Sequence, residues 1–229
     1  MARSNRRSFW KSFTRNFFGF FSRERAGQIT SPVTRRKIGL EQLETRWVPA
    51  TVSWATGVLS IQTDPNETIT AVTSADNVIA YTTSSTWIVD SSASTNGFID
   101  TNGVLEGNLT ASSTGGVTIL GSSSSETLNI TSGYSTTSAN LTAQTNLESI
   151  NQLGSVSTNS LSLASAAISL GGDITTTGDQ TLSGAVALAA SPTLTAGGSI
   201  SFSSTVNGDG VSLRALTANA AAGSVTFGG

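Results

Sequence analysis

Gly198-Ser199-Ile200-Ser201-Phe202 returns 25 residues later as Gly223-Ser224-Val225-Thr226-Phe227, and this repeat decides the predicted fold. Three triplets ending in leucine recur at the same interval: Leu161-Ser162-Leu163, Val186-Ala187-Leu188 and Val211-Ser212-Leu213. Leu194-Thr195-Ala196 matches Leu216-Thr217-Ala218 after 22 residues, so residues 219–222 must absorb a three-residue shift. A fixed period between about 20 and 50 residues indicates a repeat architecture.

Within each unit, apolar and small polar residues alternate, which is the pattern of strands with one buried face. We expect two or three strands per unit, with inward Val, Leu, Ile and Phe side chains stacked about 4.8 Å apart on those of the next unit. Leu163, Leu188 and Leu213 should then meet in one inward column on adjacent parallel strands. If these leucines were scattered, both the period and the solenoid would be contradicted. Residues 161–229 are thus predicted to be β-solenoid repeats of about 25 residues, and the break in mid-repeat at Gly229 predicts a truncated array.

Residues 50–160 form a Ser/Thr-rich region of short alternating segments separated by turn-forming residues. Five segments suit strands: 51–54, 58–61, 78–81, 117–120 and 128–130. Turn-forming residues stand between them, at Thr56-Gly57, Asp64-Pro65-Asn66, Asn96-Gly97, Asn102-Gly103 and Gly115-Gly116. The period fades here, so a β-sandwich for residues 50–150 remains open beside the solenoid. The fold class predicted for the chain is all-β, a right-handed parallel β-helix.

The composition supports strands. Ser and Thr contribute 71 of the 229 residues, Gly contributes 23, and only 11% are charged, which favours strands and turns over long helices. A net charge of −2 and a mean hydropathy of +0.04 argue against disorder. The chain contains neither Cys nor His. This absence excludes disulfides, a Ser-His-Asp triad, a Cys nucleophile and His or thiolate metal sites.

Charge divides the chain near residue 47. Eleven of the twelve Lys and Arg residues lie at or before Arg46 beside three acids, a net charge of +8. The later residues hold one base, Arg214, and eleven acids, a net charge of −10. Residues 1–49 are therefore predicted to be a basic export and sorting leader that precedes an acidic body.

The leader offers two interpretations. Arg6 and Arg7, followed by an apolar pair and Lys11, resemble a twin-arginine export motif. The apolar run at residues 16–21 is shorter than the apolar core of a signal peptide. A basic, aromatic helix that lies in a membrane interface is the alternative. The leader is thus expected to contact the membrane or the export machinery, or to be disordered before cleavage.

Residues 40–50, LEQLETRWVPA, resemble the N-terminal LEPR-XLL motif of large exported planctomycete proteins. Three residues match the centre of the motif: Leu43, Glu44 and Arg46. Three residues depart from it: Thr45 stands for Pro, and Val48 and Pro49 stand for the two Leu. The resemblance implies an exported surface protein in which the motif serves sorting or processing. Ala50, which closes the string, is a candidate cleavage site.

The body resembles the β-strand repeats of bacterial autotransporters and filamentous adhesins, which implies a right-handed parallel β-helix. Polysaccharide-cleaving enzymes also use this fold, and a pair of facing carboxylates would indicate such an activity. Asp173 and Asp179 are the only candidates, and they flank a Thr-rich segment, 174–178, that is predicted to be a turn. Carboxylates at turns are usually solvated, so no catalytic residue is assigned.

Two segments carry turn chemistry that calcium loops also use, residues 121–133 and Asn207-Gly208-Asp209-Gly210. The first segment lacks the repeated Gly-x-Asp of calcium nonapeptides, and the second lacks the spaced acidic ligands of an EF-hand. Both are predicted to be turns, and neither a metal nor another cofactor is expected.

The sequence therefore predicts a non-catalytic structural or adhesin-like protein at the cell surface or outside the cell. Expected partners are cell-envelope components, or extracellular polysaccharide or protein. Nucleic acid is excluded because an acidic body repels phosphates. The alternatives are a β-helical polysaccharide-active enzyme and a calcium-stabilised surface module.

Overall fold

The computed structural model describes residues 49–109, 115–123, 125–131 and 133–229, which belong to one compact unit. These residues form twenty strands and one helix of five residues. The strands stack in parallel coils of about five turns, which is a β-solenoid. The predicted all-β solenoid is therefore confirmed, while residues 1–48 of the predicted leader lie outside the described residues.

Each complete turn contributes to three faces. The first face consists of β2 (Val58–Gln62), β8 (Gly116–Leu120), β17 (Ile200–Phe202), β20 (Val225–Phe227) and the first halves of β11 (Leu141–Gln152), β13 (Leu161–Leu170) and β15 (Gln180–Leu188). The second face consists of β3 (Thr68–Ala75), β9 (Glu126–Ile130), β18 (Val206–Gly208) and the second halves of β11, β13 and β15. The third face is a separate sheet of β10 (Tyr134–Thr136), β12 (Val156–Thr158), β14 (Ile174–Thr176), β16 (Thr193–Ala196) and β19 (Thr217–Ala220). Neighbouring strands within each face are parallel and in register.

The long strands β11, β13 and β15 cross from the first face to the second because each bends at an irregularity. The register between β11 and β13 shifts after Ala143, and that between β13 and β15 shifts after Ala164. Such a bulge bends the strand. In β15 the bend lies at Gly184, whose φ is +142° and where an added Cβ would lie 1.9 Å from the Ser165 carbonyl oxygen. Only glycine suits this corner.

The core consists of inward columns that run from turn to turn. One column of the first face contains Ile61, Ile119, Ala143, Leu163, Leu182, Phe202 and Phe227. The corresponding column of the second face contains Ile69, Leu128, Ile150, Ile168, Val186 and Val206. Most of these side chains are buried, and the rings of Phe202 and Phe227 stack with centroids 4.9 Å apart.

The predicted column of Leu163, Leu188 and Leu213 is wrong. Leu163 lies on the first face opposite Leu182, whereas Leu188 lies on the second face between Leu170 and Gly208. Leu213 lies outside the strands and is fully exposed. The strands are nonetheless parallel and in register, so the criterion that scattered leucines would also contradict the solenoid is too strict, and the error concerns the period.

The true spacing between equivalent residues is shorter than 25 in most turns. The positions equivalent to Leu163 follow at intervals of 19, 20 and 25 residues, at Leu182, Phe202 and Phe227. The last interval is long because residues 209–216 connect β18 to β19, whereas residues 189–192 connect β15 to β16. The pairing of the two quoted repeats, Ile200 with Val225 and Phe202 with Phe227, is as predicted. The partner of Leu194 is Ala218 and not the predicted Leu216.

The N-terminal end of the solenoid is covered by strands that break the parallel pattern. β1 (Ala50–Ala55) is antiparallel to β2 and parallel to β5 (Trp87–Val89). β4 (Val78–Thr83), β7 (Val104–Asn108) and β6 (Ile99–Thr101) extend the second face in antiparallel order. No sandwich forms from these strands, because they continue the sheet of the solenoid.

One short helix, α1 (Ser91–Thr95), lies between β5 and β6, where the sequence predicts none. Asp90 caps its N-terminus by accepting a hydrogen bond from the Ala93 amide. Ala93 and the following Phe98 are fully buried, and Phe98 stacks on Trp54 with ring centroids 5.2 Å apart. The helix thus helps to close the N-terminal end of the core.

Candidate functional site

Asp173 and Asp179 do not form a carboxylate pair. They lie at the two ends of β14, because residues 174–176 form a strand and not the predicted turn. Each carboxylate is exposed and accepts a hydrogen bond from a backbone N–H of the next turn, Asp173 from Thr193 and Asp179 from Ser199, both at 2.7 Å. The two residues therefore connect successive turns of the solenoid at different corners.

Two other acids, Glu67 and Glu126, are buried where the first face meets the second. They occupy equivalent places in successive turns, since their neighbours Thr68 and Thr127 pair directly. Glu67 accepts hydrogen bonds from the Thr83 and Ser85 hydroxyls and from the Asp64 amide. The sequence alone assigns no role to either acid, and the Ser-rich residues beside Glu126 are the only sequence signal that it has local partners.

The titration of this corner follows from its hydrogen bonds. Burial would raise the pKa of Glu126, but hydrogen bonds from Ser122, Ser123 and Ser125 outweigh it and lower the pKa. Asp64 has no such set of donors, so burial and the charges of Glu67 and Glu126 raise its pKa. Among the described residues no three acidic side chains converge as ligands of a metal ion would.

Arg214 is held by one acid. Its Nη2 donates to Asp209 Oδ2 at 2.7 Å, and Asp209 Oδ1 accepts from the Val211 and Ser212 amides at 3.0 and 3.2 Å. The pair organises the long connection between β18 and β19, and Val211 and Leu213 project from it into solvent. The predicted turn around Asp209 is present, although Asn207 and Gly208 belong to β18.

The remaining candidates from the sequence are the targeting residues, the cleavage site and the first calcium segment. The targeting residues Arg6, Arg7, Leu43, Glu44 and Arg46 lie outside the described residues. Ala50 is the first residue of β1 and is fully buried opposite Trp87 of β5. The predicted turn at 121–133 is wrong for residues 126–130, which form β9 because they pair in parallel with β3 on one side and β11 on the other.

The outward side chains of the first face form an unbroken column of hydroxyl residues. From one turn to the next, the residues in register are Ser60, Thr118, Thr142, Ser162, Thr181, Ser201 and Thr226. Strand alternation produces this arrangement, since each lies between two inward residues. We call these seven residues the hydroxyl column.

The outward columns of the other faces differ. On the second face, hydroxyl residues give way to Ala167 and Ala185, which with Ser149, Asn151 and others line a shallow groove of about 230 Å³. On the third face, four hydroxyl residues precede Asn219, and the first of them, Ser135, donates to Asp76 at 2.8 Å.

The described part of the chain contains no helix with the length and hydropathy of a membrane span. No family model, no curated protein and no solved structure matches the chain. The function of the chain is therefore inferred from its own residues.

Proposed function

We propose that this chain is a non-catalytic structural or adhesin-like protein that is exported to the cell surface. The observation that carries the proposal is the arrangement of side chains along the solenoid. Apolar columns fill its interior, whereas the outward column of the first face carries Ser or Thr in seven successive strands. Hydrogen bonds between all turns stiffen such a structure, and its hydroxyl surface offers extended polar contact.

The acidic side chains support a structural role over a catalytic one. Asp173 and Asp179, the best candidates for paired carboxylates, each bind a backbone N–H of the next turn at a different corner. The buried Glu67 and Glu126 accept hydrogen bonds from hydroxyls and amides of their own corners. Polysaccharide cleavage needs two carboxylates that face the same bond of a bound substrate. Asp173 and Asp179 lie at different corners, and Glu67 and Glu126 are buried away from solvent.

Export is proposed from the charge boundary and the leader. The change from +8 to −10 falls near residue 47, beside the LEPR-XLL-like string, and the first strand begins at Ala50. Removal of the leader just before Ala50 would leave β1 whole. The resemblance to the LEPR-XLL motif of exported planctomycete proteins also supports export, as does the twin-arginine-like pair Arg6 and Arg7.

The export proposal is tested on protein recovered from the native cell envelope. N-terminal sequencing should give a start at Ala50 or Thr51, and antibodies against the body should bind intact cells. Replacing Arg6 and Arg7 by Gln should retain the protein inside the cell. The matched control replaces Arg35 and Arg36 by Gln, which removes the same charge from the leader outside the motif, and should leave export intact. A protein that keeps Met1 or Ala2 and that antibodies reach only after permeabilisation would contradict the proposal.

A further inference from the structure

The hydroxyl column is the longest run of hydroxyl residues in register among the described strands, with seven strands against four on the third face. Within the described residues, no hydrogen bond joins any of the seven side chains to another group of the chain. On the second face, by contrast, outward polar groups pair with one another: Thr127 with Ser149 at 3.1 Å and Asn151 with Asn129 at 3.0 Å. The seven hydroxyls therefore keep their donors and acceptors free for an external partner.

The spacing of the column is set by the sheet. Neighbouring strands lie about 4.8 Å apart, so seven strands place hydroxyls over about 29 Å. In two turns a second pair of hydroxyls lies beside the column, because Ser183 and Ser203 follow Thr181 and Ser201 by two residues on the same side of the strands. These two hydroxyls already bond to each other at 3.2 Å, so they are not counted in the column. The backbone ladder holds all of these groups in place, so little conformational freedom is lost when they bind.

The chemistry of the face selects a neutral partner. Every outward residue that β2, β8, β13, β15, β17 and β20 present on the first face is uncharged. Two acids of these turns, Glu148 and Asp179, lie at the corners and not on the face. A surface of hydroxyls without charge offers matched donors and acceptors to a polymer that itself presents hydroxyls at regular intervals.

We infer that the hydroxyl column binds the surface of a neutral, ordered polysaccharide. This inference rests on the proposed function, which places the solenoid outside the cell. One hydroxyl hydrogen bond contributes little, but a fixed series acts together once the first is formed. A flexible soluble polysaccharide would lose much of this binding free energy, because it must become ordered when it binds. The partner is therefore an insoluble, packed polysaccharide and not a short soluble oligomer.

The test measures binding of the purified protein to microcrystalline cellulose, chitin and insoluble β-1,3-glucan in sedimentation assays. Binding to at least one of them is expected, with no loss between 0.1 and 1 M salt, because uncharged contacts are not screened. Replacing Thr142 and Thr181 by Val keeps the shape of the strand and should weaken binding about tenfold. The control replaces Thr175 and Thr195 of the third face by Val and should bind like the parent chain.

Three results would overturn the inference. They are failure to bind all three polymers, equal loss in the control variant, and binding that disappears at high salt or that prefers an anionic polysaccharide. Circular dichroism of both variants verifies that the fold is intact. Antibody labelling of cells that express the Thr142→Val/Thr181→Val variant separates this result from export, since surface exposure does not depend on what the column binds.

Discussion

Leu182 is the residue on which the register of the solenoid is best tested. It is fully buried between Leu163 and Phe202 in the inward column of the first face. Leu182→Ala should cost about 2–5 kcal/mol of unfolding free energy, because it removes buried methyl groups and leaves a cavity between two turns. Urea unfolding followed by circular dichroism measures the change.

Leu213 provides the matched control for Leu182. The sequence repeat predicts a core position, but the side chain is fully exposed in the connection between β18 and β19. Leu213→Ala should therefore change the unfolding free energy by no more than about 0.5 kcal/mol. If Leu213→Ala cost more than Leu182→Ala, the register described above would be wrong.

For single residues, the sequence predicts well which side chains face the core. It predicts poorly which residue of the next turn each of them contacts. The alternation in Leu161-Ser162-Leu163 predicts two inward leucines around an outward serine, and the burial of the three residues agrees. Which residue of the next turn each leucine meets depends on the length of the corners. Corner lengths differ between turns: the long connection at residues 209–216 lengthens only the last interval to 25 residues, whereas the earlier intervals are 19 and 20.

Among the elements, the connection between β18 and β19 carries a pH dependence that can be measured. The hydrogen bond from Arg214, together with those from the Val211 and Ser212 amides, lowers the pKa of Asp209 from 3.8 to about 2. Because the pKa is lower in the folded state, protonation opposes folding: this stabilisation is complete above the unfolded pKa and is lost as the pH falls towards 2. We expect the connection to stay ordered at pH 4 and to open as the pH falls towards 2, as followed by NMR titration of the Asp209 carboxyl.

The variant Arg214→Gln checks the cause of this shift. It removes the guanidinium but leaves the backbone donors of Val211 and Ser212 in place. The pKa of Asp209 should then rise towards its ordinary value without reaching it. An Asp209 pKa that is the same in both proteins would show that Arg214 does not bind it in solution.

Tyr81 and Tyr134 join two elements that belong to different parts of the fold. Tyr81 lies on β4 of the antiparallel extension and Tyr134 on β10 of the third face, and their buried hydroxyls lie 2.6 Å apart. Tyr134→Phe should cost about 1–3 kcal/mol, because it leaves the Tyr81 hydroxyl buried without this partner. The double variant Tyr81→Phe/Tyr134→Phe should be less destabilised than the sum of the two single variants. Additive costs in thermal or urea unfolding would contradict this coupling.

The elements also show where prediction from the sequence stops. Residues 174–178 are rich in Thr and end in Gly, which favours a turn, yet residues 174–176 pair with strands on both sides. Tertiary pairing overrides a weak local preference here. The burial of Glu67 and Glu126 was equally hidden, because it depends on stacking between turns whose corner residues are 59 positions apart in the sequence.

In the whole molecule, stability should vary along the solenoid. Each turn contacts only its neighbours, so local opening is governed by the burial of a turn and of the turns beside it. The middle strands β11, β13 and β15 have paired neighbours on both sides and buried inward residues. In the last turns, β19 is half-exposed and Phe227 is 56% exposed.

Hydrogen–deuterium exchange should therefore be slowest in β13, where both the first and the second face are paired, and fastest in β18, β19 and β20. Mass spectrometry of peptic fragments measures this gradient. The variant Leu182→Ala provides a second measurement. It should accelerate exchange in β13, β15 and β17 before it affects β2 or β3. Nearest-neighbour coupling predicts such a local response, since the lost contacts belong to adjacent turns. If exchange accelerated equally from β2 to β20, the turns would unfold as one cooperative unit, and the picture of separately stabilised turns would be wrong.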